Sequence, residues 1–334
     1  MFYNKFLIIL IILLLFIFIN YICSIQENMS INTPSFKKNI IDNGYTLDVN
    51  TFRILDAYNN VIKEYPTRYF NSKKSHYIAK NKPLTNSILL KNNIPTPKHY
   101  VIEHKNKHSI LNSKKTYPCV LKPVDGMQGK DVYTHIDNDG EFNKILDNLM
   151  KTYDNVMMEE LVYGNNYRIF VFNNKVMDII EREKPFIIGN GKSTVQELIN
   201  NKNKTLKEKK LFIVKYIDEK LIKQQNYELS SILPLNVKLF ITNTINFHNG
   251  ANPKRIDLDK VPKVNIDLFI NAHTLIGLEC SGVDYMSEDI YTPYYKNKGS
   301  IIEMNDMVDA KIHVDADNKK NKNFLFKNMV KSLM

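Results

Sequence analysis

The chain has 334 residues, of which 43% are hydrophobic, so it can bury a sizeable core in one large domain or two closely packed ones. Its net charge of +11 is compatible with a nucleic-acid partner. Lysine, asparagine and isoleucine are abundant along the whole chain, however, and there is no arginine-rich face or aromatic stacking motif, so we expect no nucleic-acid partner. The cysteines Cys23, Cys119 and Cys280 lack a C-x-x-C spacing, which argues against structural disulfides and a zinc site and indicates a reducing compartment.

An apolar run occupies residues 6–22 and begins FLIILIILLLFIFI. Crossing a bilayer takes roughly 17 to 25 apolar residues as a helix, so this run is at the short end for a membrane anchor. The compact apolar stretch after Lys5 is also typical of a cleaved signal peptide, but YICSIQEN offers no convincing small-x-small cleavage site. We therefore favour an uncleaved anchor over a cleaved signal.

Composition divides the chain into six predicted segments. The tail combines lysines with apolar residues, as in a basic amphipathic helix on an acidic membrane surface or in a frayed end. In chain order the segments are an anchor (1–23), a polar linker (24–49), a small α/β cap with little core (50–80), a first α+β subdomain with a glycine loop (81–155), a second α+β subdomain (156–314) and the basic tail (315–334).

Predicted helices and strands alternate from residue 81 onward. In NKPLTNSILLKNN, Leu84, Ile88 and Leu89 share one helical face, and Asn93 with the prolines after it ends the helix. Further helices are predicted at 141–151, 194–201 and 267–275, and strands at 117–121, 131–136, 156–161, 167–172, 175–181, 281–286 and 300–305. Asn173-Asn174 predicts a hairpin. Hairpins mixed with single helices indicate an α+β fold.

The stretch FIIGNGKST, ending at Thr194, resembles a Walker A loop only in part. That loop needs a glycine five residues before Gly191, where this chain has Phe186. Asn190-Gly191 instead predicts a turn, and Thr194 with Glu197 predicts a capping box for the next helix.

Two other stretches, one basic and one acidic, together predict a nucleotide and metal site. In YPCVLKPVDGMQGKDV a strand ends at Lys122-Pro123 and opens into a loop with Gly126 and Gly129, which suits phosphate. In IIEMN, Glu303 and Asn305 point to the same face of a strand, and Asp284 ends an apolar strand at the corresponding depth. Ligands that are all oxygen atoms favour Mg²⁺.

In their order along the chain these motifs resemble the ATP-grasp fold, in which two α+β subdomains clasp ATP. The resemblance is closest to cyanophycin synthetase and the bifunctional glutathione synthetases, and it extends to the D-alanine:D-alanine ligases. It covers residues 75–314 and excludes the long extra domains of the cyanophycin enzyme. The matching positions are Glu159, Gly164, Arg168, Arg182, Gly189, Gly191, Thr194, Glu197, Glu303, Asn305 and His313.

This resemblance implies roles for individual residues. Those expected to bind ATP are Lys82, Lys122, Gly126, Gln128 and Gly129 at the phosphates, Glu159, Glu160, Leu161 and Val162 at the adenine, and Asn166 at the ribose. Asp284, Glu303 and Asn305 would bind Mg²⁺, or Mn²⁺ in its place. Arg168 and Arg182 would be catalytic and face a substrate carboxylate or acyl phosphate, and Asn246, Gly250 and His313 would line the substrate pocket.

The implied reaction is the ATP-dependent joining of a carboxylate to an amine through an acyl phosphate, with amino acids or peptides as substrates. Departures from the family pattern are Asn86 in place of a second lysine, Asn166 and Asn190 in place of acids, and residues 306–309 in place of a run of small residues, proline and glycine. They leave two alternatives open, a tethered ATP-binding module without turnover and a ligase that modifies a protein acceptor. ATP use implies a catalytic domain on the cytosolic side, and a homo-oligomer is a further expectation.

Overall fold

A computed structural model describes residues 29–113, 115–126, 130–208, 211–243, 245, 247–309, 312–313 and 324–333. The predicted anchor at residues 6–22 lies outside these ranges. Within them, no helix has both the length and the apolar character needed to cross a membrane.

The described strands form four sheets in which neighbouring strands are antiparallel. A three-stranded sheet contains β1 (Thr46–Asp48), β2 (Arg53–Leu55) and β3 (Val61–Glu64), and a four-stranded sheet has the order β4 (His99–Glu103), β7 (Asn155–Glu160), β5 (Cys119–Pro123) and β6 (Tyr133–Ile136). The largest sheet has the order β12 (Asn252–Arg255), β9 (Lys175–Glu183), β8 (Asn165–Phe172), β13 (Cys280–Ser287) and β14 (Ser300–Asn305). A separate pair joins β10 (Phe186–Ile188) to β11 (Lys238–Phe240).

Helices cover the sheets and connect them. In chain order the described α-helices are Pro34–Asp42, Lys73–Lys80, Lys82–Lys91, Lys107–Asn112, Asp139–Leu149, Val195–Glu208, Glu219–Gln224, Lys263–Ile276 and Phe324–Lys331. Two short 3₁₀ helices occupy Phe247–Asn249 and Leu258–Lys260.

Strand β8 explains why the largest sheet has one buried face and one mixed face. Its sequence NNYRIFVF places Tyr167, Ile169 and Val171 on the face that packs against the Lys263–Ile276 helix. The opposite face begins with Asn166 and Arg168 and continues with two fully buried phenylalanines. The polar end of this face is where the predicted site residues meet.

Most predicted elements from residue 81 onward are confirmed, with boundaries shifted by a few residues. The strand at Ser300–Asn305 matches its prediction, whereas the helix predicted at 194–201 continues to Glu208. Asn173 and Asn174 both have positive φ and join β8 to β9, as the hairpin signal predicted. The capping box is confirmed, because Thr194 N–H donates to Glu197 and Glu197 N–H donates to the Thr194 hydroxyl.

The two ends of the described chain correct the sequence interpretation. The polar stretch predicted as a linker contains the Pro34–Asp42 helix, whose Phe36 and Ile40 are fully buried. The basic tail forms the Phe324–Lys331 helix, whose Leu325, Phe326, Met329 and Val330 lie in the same apolar cluster. The tail helix is thus neither frayed nor free to place its apolar face on a membrane, because that face is already covered by protein. The six-segment division itself remains a prediction.

Cys119 and Cys280 are buried and unbonded to one another. Burial raises the pKa of the Cys119 thiol to about 11 and also raises the pKa of Cys280. Both thiols are therefore protonated at neutral pH, as expected of structural cysteines in apolar surroundings.

Candidate active site

The register of the largest sheet places a basic and an acidic residue directly opposite one another. In β13, Asp284 pairs with Arg168 of β8 on one side and with Glu303 of β14 on the other. Two residues earlier Gly282 pairs with Asn305, and a Cβ atom at Gly282 would approach the Arg168 guanidinium to 2.9 Å. A glycine at this position therefore lets the Arg168 side chain lie flat across the sheet.

Two arginines neutralise the Asp284 carboxylate. Arg168 Nη1 lies 2.7 Å and Arg182 Nη2 3.0 Å from Asp284 Oδ1. Burial by itself would raise the pKa of Asp284, but the two guanidinium groups outweigh it and hold that pKa below its usual value. Asp284 is therefore a permanent anion that fixes both arginines in place.

Arg182 is further oriented by Asn166, its direct partner across the β8–β9 ladder. Arg182 Nε donates to Asn166 Oδ1 at 2.5 Å. Burial lowers the pKa of Arg182, and the nearby Asp284 opposes this effect. Asn166 thus positions a catalytic candidate, and its expected contact with the ribose stays a prediction.

Glu303 and Asn305 present oxygen atoms beside this ion cluster. Asn305 Nδ2 donates to the Gly282 carbonyl at 3.4 Å. This hydrogen bond fixes the orientation of the side-chain amide and leaves its oxygen available to bind a cation. The carboxylate of Glu303 is about one-third exposed. Among the described residues no group of three His, Cys, Asp or Glu side chains could bind a metal alone. Two protein oxygens plus phosphate oxygens and water are nevertheless the ligand set Mg²⁺ prefers, so the residues fit that ion.

A second cluster contains Lys122, Glu159 and Asn86. Lys122 Nζ lies 2.5 Å from Glu159 Oε2, and both side chains are less than 10% exposed. Asn86 Nδ2 donates to the other carboxylate oxygen of Glu159 at 3.2 Å. Burial disfavours the charged amine, but Glu159 and Glu303 outweigh it and raise the pKa of Lys122. Lys122 is therefore a fixed buried cation at the base of the glycine loop.

Lys82 connects the two clusters. Its ammonium donates to the Gly126 carbonyl in the loop after β5 and lies 3.7 Å from Glu303 Oε1. The predicted loop residues Gln128 and Gly129 lie outside the described part of the chain. The two clusters together contain four cationic and three acidic side chains: Lys82, Lys122, Arg168 and Arg182 against Glu159, Asp284 and Glu303. A surplus of buried positive charge suits a polyphosphate ligand.

The comparisons with known proteins agree with this geometry. Residues 79–219 match the model of the RimK-like ATP-grasp domain family. Across 92% of the chain, the fold resembles the crystal structure of a bifunctional glutathione synthetase from Pasteurella multocida, with a TM-score of 0.63 and 20% identity over 43% of that chain. The chain has the ATP-grasp fold.

The curated relatives are longer than this chain. Cyanophycin synthetase of Trichormus variabilis is 27% identical over 249 residues, which is 71% of this chain and 27% of that protein. The bifunctional glutathione biosynthesis protein GshAB of Clostridium perfringens is 26% identical over 280 residues, which is 76% of this chain and 35% of that protein. The chain thus spans about a third of the length of such relatives.

The resemblance assigns the adenine hinge to residues 159–162, at the end of β7. Glu160 ends β7, its N–H donates to the Lys98 carbonyl, and its side chain extends toward the Lys98 ammonium, 3.8 Å away. Leu161 and Val162 follow and are half-buried between β7 and β8. Their role at the adenine stays a prediction.

The predicted substrate residues are only partly brought to the ATP-grasp site. His313 is fully buried, with Nδ1 2.9 Å from Asp178 Oδ2 and its ring packed on Phe170. Burial lowers the pKa of His313 despite the nearby Asp178. Gly250 has a φ of +74°, and a Cβ atom there would clash with Val214. Asn246 lies outside the described residues. His313 and Gly250 are thus both buried, and their place in a substrate pocket stays a prediction.

Sequence reasoning missed several residues that support the ATP-grasp site. Asp178, Arg255 and Phe247 are among them, and the Arg182 guanidinium lies over the Phe247 ring at 5.9 Å. Asp178 lies in an apolar strand between Met177 and Ile179, and an acid in such a strand was the available signal. Arg255 lies on β12, whose sequence NPKR has no alternation and contains a proline.

Proposed function

We propose that this chain is an ATP- and Mg²⁺-dependent ligase that joins a carboxylate to an amine through an acyl phosphate. The observation that supports it most directly is the placement of Arg168, Arg182 and Asp284 beside the Glu303 and Asn305 oxygens on one sheet face. The domain family and relatives named for making cyanophycin and glutathione support the same chemistry. Its substrates would be amino acids or peptides.

Each step follows from the charges in the site. Lys82 and Lys122 would bind the phosphates of ATP and oppose their repulsion toward an incoming carboxylate. Mg²⁺ bound by Glu303 and Asn305, with Mn²⁺ as a substitute, would neutralise charge on the phosphate oxygens. Asp284, already neutralised by two arginines, would contribute mainly by fixing those arginines in place.

The substrate carboxylate attacks the γ-phosphorus, the bond to the β–γ bridging oxygen breaks, and ADP leaves. Arg168 and Arg182, which are both held against Asp284, would donate hydrogen bonds to the acyl phosphate as it forms. The amine then attacks the acyl carbon, inorganic phosphate leaves, and the amine loses a proton. Alignment of both reactants in this cleft could supply on the order of 7 to 11 kcal/mol of the barrier.

The test is ADP release from ATP and Mg²⁺ by the purified full-length chain, measured with pools of amino acids, dipeptides and polypeptides. We expect release only with particular carboxylate and amine pairs, and none from the Glu303→Gln variant. Bound ATP without release in any pool would support the tethered module instead. Release only with polypeptide acceptors would support modification of a protein.

We further infer that residues 6–22 anchor the chain in a membrane with the ATP-grasp domain facing the cytosol. Met29 N–H already donates to the Val308 carbonyl at 2.7 Å, so the folded domain begins within a few residues of the apolar run. Six residues, 23–28, extend at most about 20 Å. Alkaline carbonate extraction of membranes tests this: an anchored chain stays in the pellet, and release into the supernatant would refute the anchor.

A further inference from the structure

An apolar cavity of about 60 Å³ lies between β12, the Val195–Glu208 helix and the segment after β14. Its walls include Leu206, Phe212, Phe247, Ala251 and Ile312. Protein interiors are normally close-packed, so an unfilled volume of this size indicates a candidate ligand site.

The cavity adjoins the arginine cluster on the same face of the sheet. Phe247 forms part of its wall and also lies under the Arg182 guanidinium. Pro253, another lining residue, is the direct β12 partner of Arg182. Ile180, which pairs with Arg168, packs in one cluster with Phe247, Ala251 and Ile312. A substrate whose reacting group contacts Arg182 would thus reach the cavity with its next few atoms.

The lining of the cavity is mainly apolar, which disfavours a charged occupant. The lining includes Asn252, whose amide donates to the Lys184 carbonyl and accepts from Lys202 Nζ at 2.7 Å, and the buried carboxyl group of Asp309. An aspartate or glutamate side chain would lose its hydration in a mainly apolar lining, which costs free energy. Because the amide of Asn252 is already bonded on both sides, the remaining wall offers mainly carbon atoms.

We propose that this cavity binds the branched aliphatic side chain of an amino acid or terminal peptide residue that the enzyme ligates. This inference rests on the proposed ligase function and specifies its substrate class. A water molecule needs roughly 10 to 15 Å³ by the same measure, and a cavity of roughly 150 Å³ accepts benzene. The volume here lies between these limits and suits the three or four carbon atoms of valine, leucine or isoleucine, whereas lysine, arginine and the aromatic side chains are too large.

The experiment measures binding separately from turnover. The full-length chain is titrated calorimetrically with glycine, alanine, valine, leucine, phenylalanine, aspartate and lysine, and with the glycyl dipeptide of each, in Mg²⁺ and a non-hydrolysable ATP analogue. We expect the affinity to rise about fourfold per added methylene from glycine to valine and leucine. Aspartate and lysine should bind no better than glycine. A flat series, or a preference for aspartate or lysine, would overturn the proposal.

Two variants test the cavity itself. Ala251→Val fills part of it and should weaken leucine binding at least tenfold while alanine binding stays within twofold. Phe247→Leu enlarges it and should improve the binding of phenylalanine relative to valine. Ala57→Val, at an exposed position in the turn after β2, is the matched control and should leave the series unchanged. Titration with the ATP analogue confirms that each variant is folded.

The two proposals fail in different ways. If no compound elicits ADP release, the ligase proposal is wrong, and the calorimetric series still decides whether the cavity selects aliphatic side chains. If ADP release occurs with compounds that lack such a side chain and Ala251→Val has no effect on any of them, the ligase stands and the cavity proposal is wrong.

Discussion

Lys122 and Glu159 are nearly fully buried, so removal of either side chain leaves the other as an unpaired buried charge, which lowers the free energy of unfolding. The Lys122→Met variant leaves the Glu159 carboxylate with Asn86 as its hydrogen-bond donor, and we expect it to lose about 3 to 5 kcal/mol in the free energy of unfolding. Adding Glu159→Gln should restore most of that stability but not ATP binding, because the phosphates still lack the Lys122 cation. Urea denaturation and titration with a fluorescent ATP analogue measure the two effects. Recovery of ATP affinity in the double variant would contradict a phosphate-binding role for Lys122.

Asp284 and Glu303 lie side by side, but their side chains have different surroundings. Asp284→Asn leaves two arginines without their shared anion and should lower the free energy of unfolding by about 3 to 5 kcal/mol. Glu303→Gln changes a partly exposed group 3.7 Å from Lys82 and should change stability by less than about 1 kcal/mol while abolishing ADP release. Denaturation curves of the two variants at pH 7 provide the comparison. Equal destabilisation by both would mean that Glu303 is a structural residue rather than a metal ligand.

The sequence predicted which candidate residues lie together on the sheet better than it predicted the partners of those residues. Strand alternation alone placed Glu303 and Asn305 on one face, and the register confirms that Asp284 is adjacent. The two arginines on Asp284 could not be derived this way, because cross-strand register depends on contacts between distant segments. The same limit applies to Asn86, which looked like a lost phosphate ligand and proves to donate a hydrogen bond to Glu159.

At the scale of whole elements, a buried histidine fixes the Lys263–Ile276 helix to strand β13. His273 is fully buried, its Nδ1 lies 2.7 Å from the Ser281 hydroxyl, and burial lowers its pKa to about 4. The folded state therefore disfavours the protonated ring. In the unfolded chain the ring is protonated below pH 6.5, because the ordinary pKa of histidine is about 6.5. Stability contributed by the neutral ring is present above pH 6.5 and is lost as the pH falls from 6.5 to 4.

We therefore expect the free energy of unfolding to decrease by about 1.4 kcal/mol per pH unit in that window, and by roughly 3 kcal/mol in total, through His273 alone. The His273→Gln variant should lack this component, so the difference between wild type and variant isolates it from other groups such as His313. Chemical denaturation at pH 7, 6, 5 and 4.5 measures the slope. Parallel pH profiles for the two proteins would show that His273 does not titrate as its burial indicates.

Helices, turns and caps with a clear local sequence pattern could be predicted from the sequence. Short or irregular segments that pack against them could not. The hairpin, the capping box and the Lys82–Lys91 helix follow from local chemistry, because turn and cap residues act within a few positions. Strand β12 and the 3₁₀ helix at Phe247–Asn249 follow no period. These two elements contribute part of the wall of the apolar cavity, so the proposed specificity site could not be predicted from the sequence.

At the scale of the whole molecule, the two ends of the described chain close one shared apolar cluster. Phe36 near the start contacts Phe70 and Phe172 edge to face, and the Phe324–Lys331 helix buries four apolar side chains in the same cluster. Asn173, in the hairpin between β8 and β9, donates to the Ser332 carbonyl at 2.6 Å. The tail helix is thus part of the core that supports the far end of the site-bearing sheet.

Removing residues 324–334 should therefore destabilise the entire domain. Burial of each large apolar side chain contributes about 1.5 to 3 kcal/mol, so loss of four of them rivals the total stability of a typical domain. We expect the truncated chain to lose its cooperative thermal transition, and Met329→Asp to lower the transition temperature sharply. Lys327→Glu, at an exposed position of the same helix, should change that temperature by no more than a few degrees. An unchanged thermal transition after truncation would show that the packing of the tail helix in the core does not matter for folding. If Lys327→Glu also abolished binding to acidic vesicles, the tail would be a membrane-binding element.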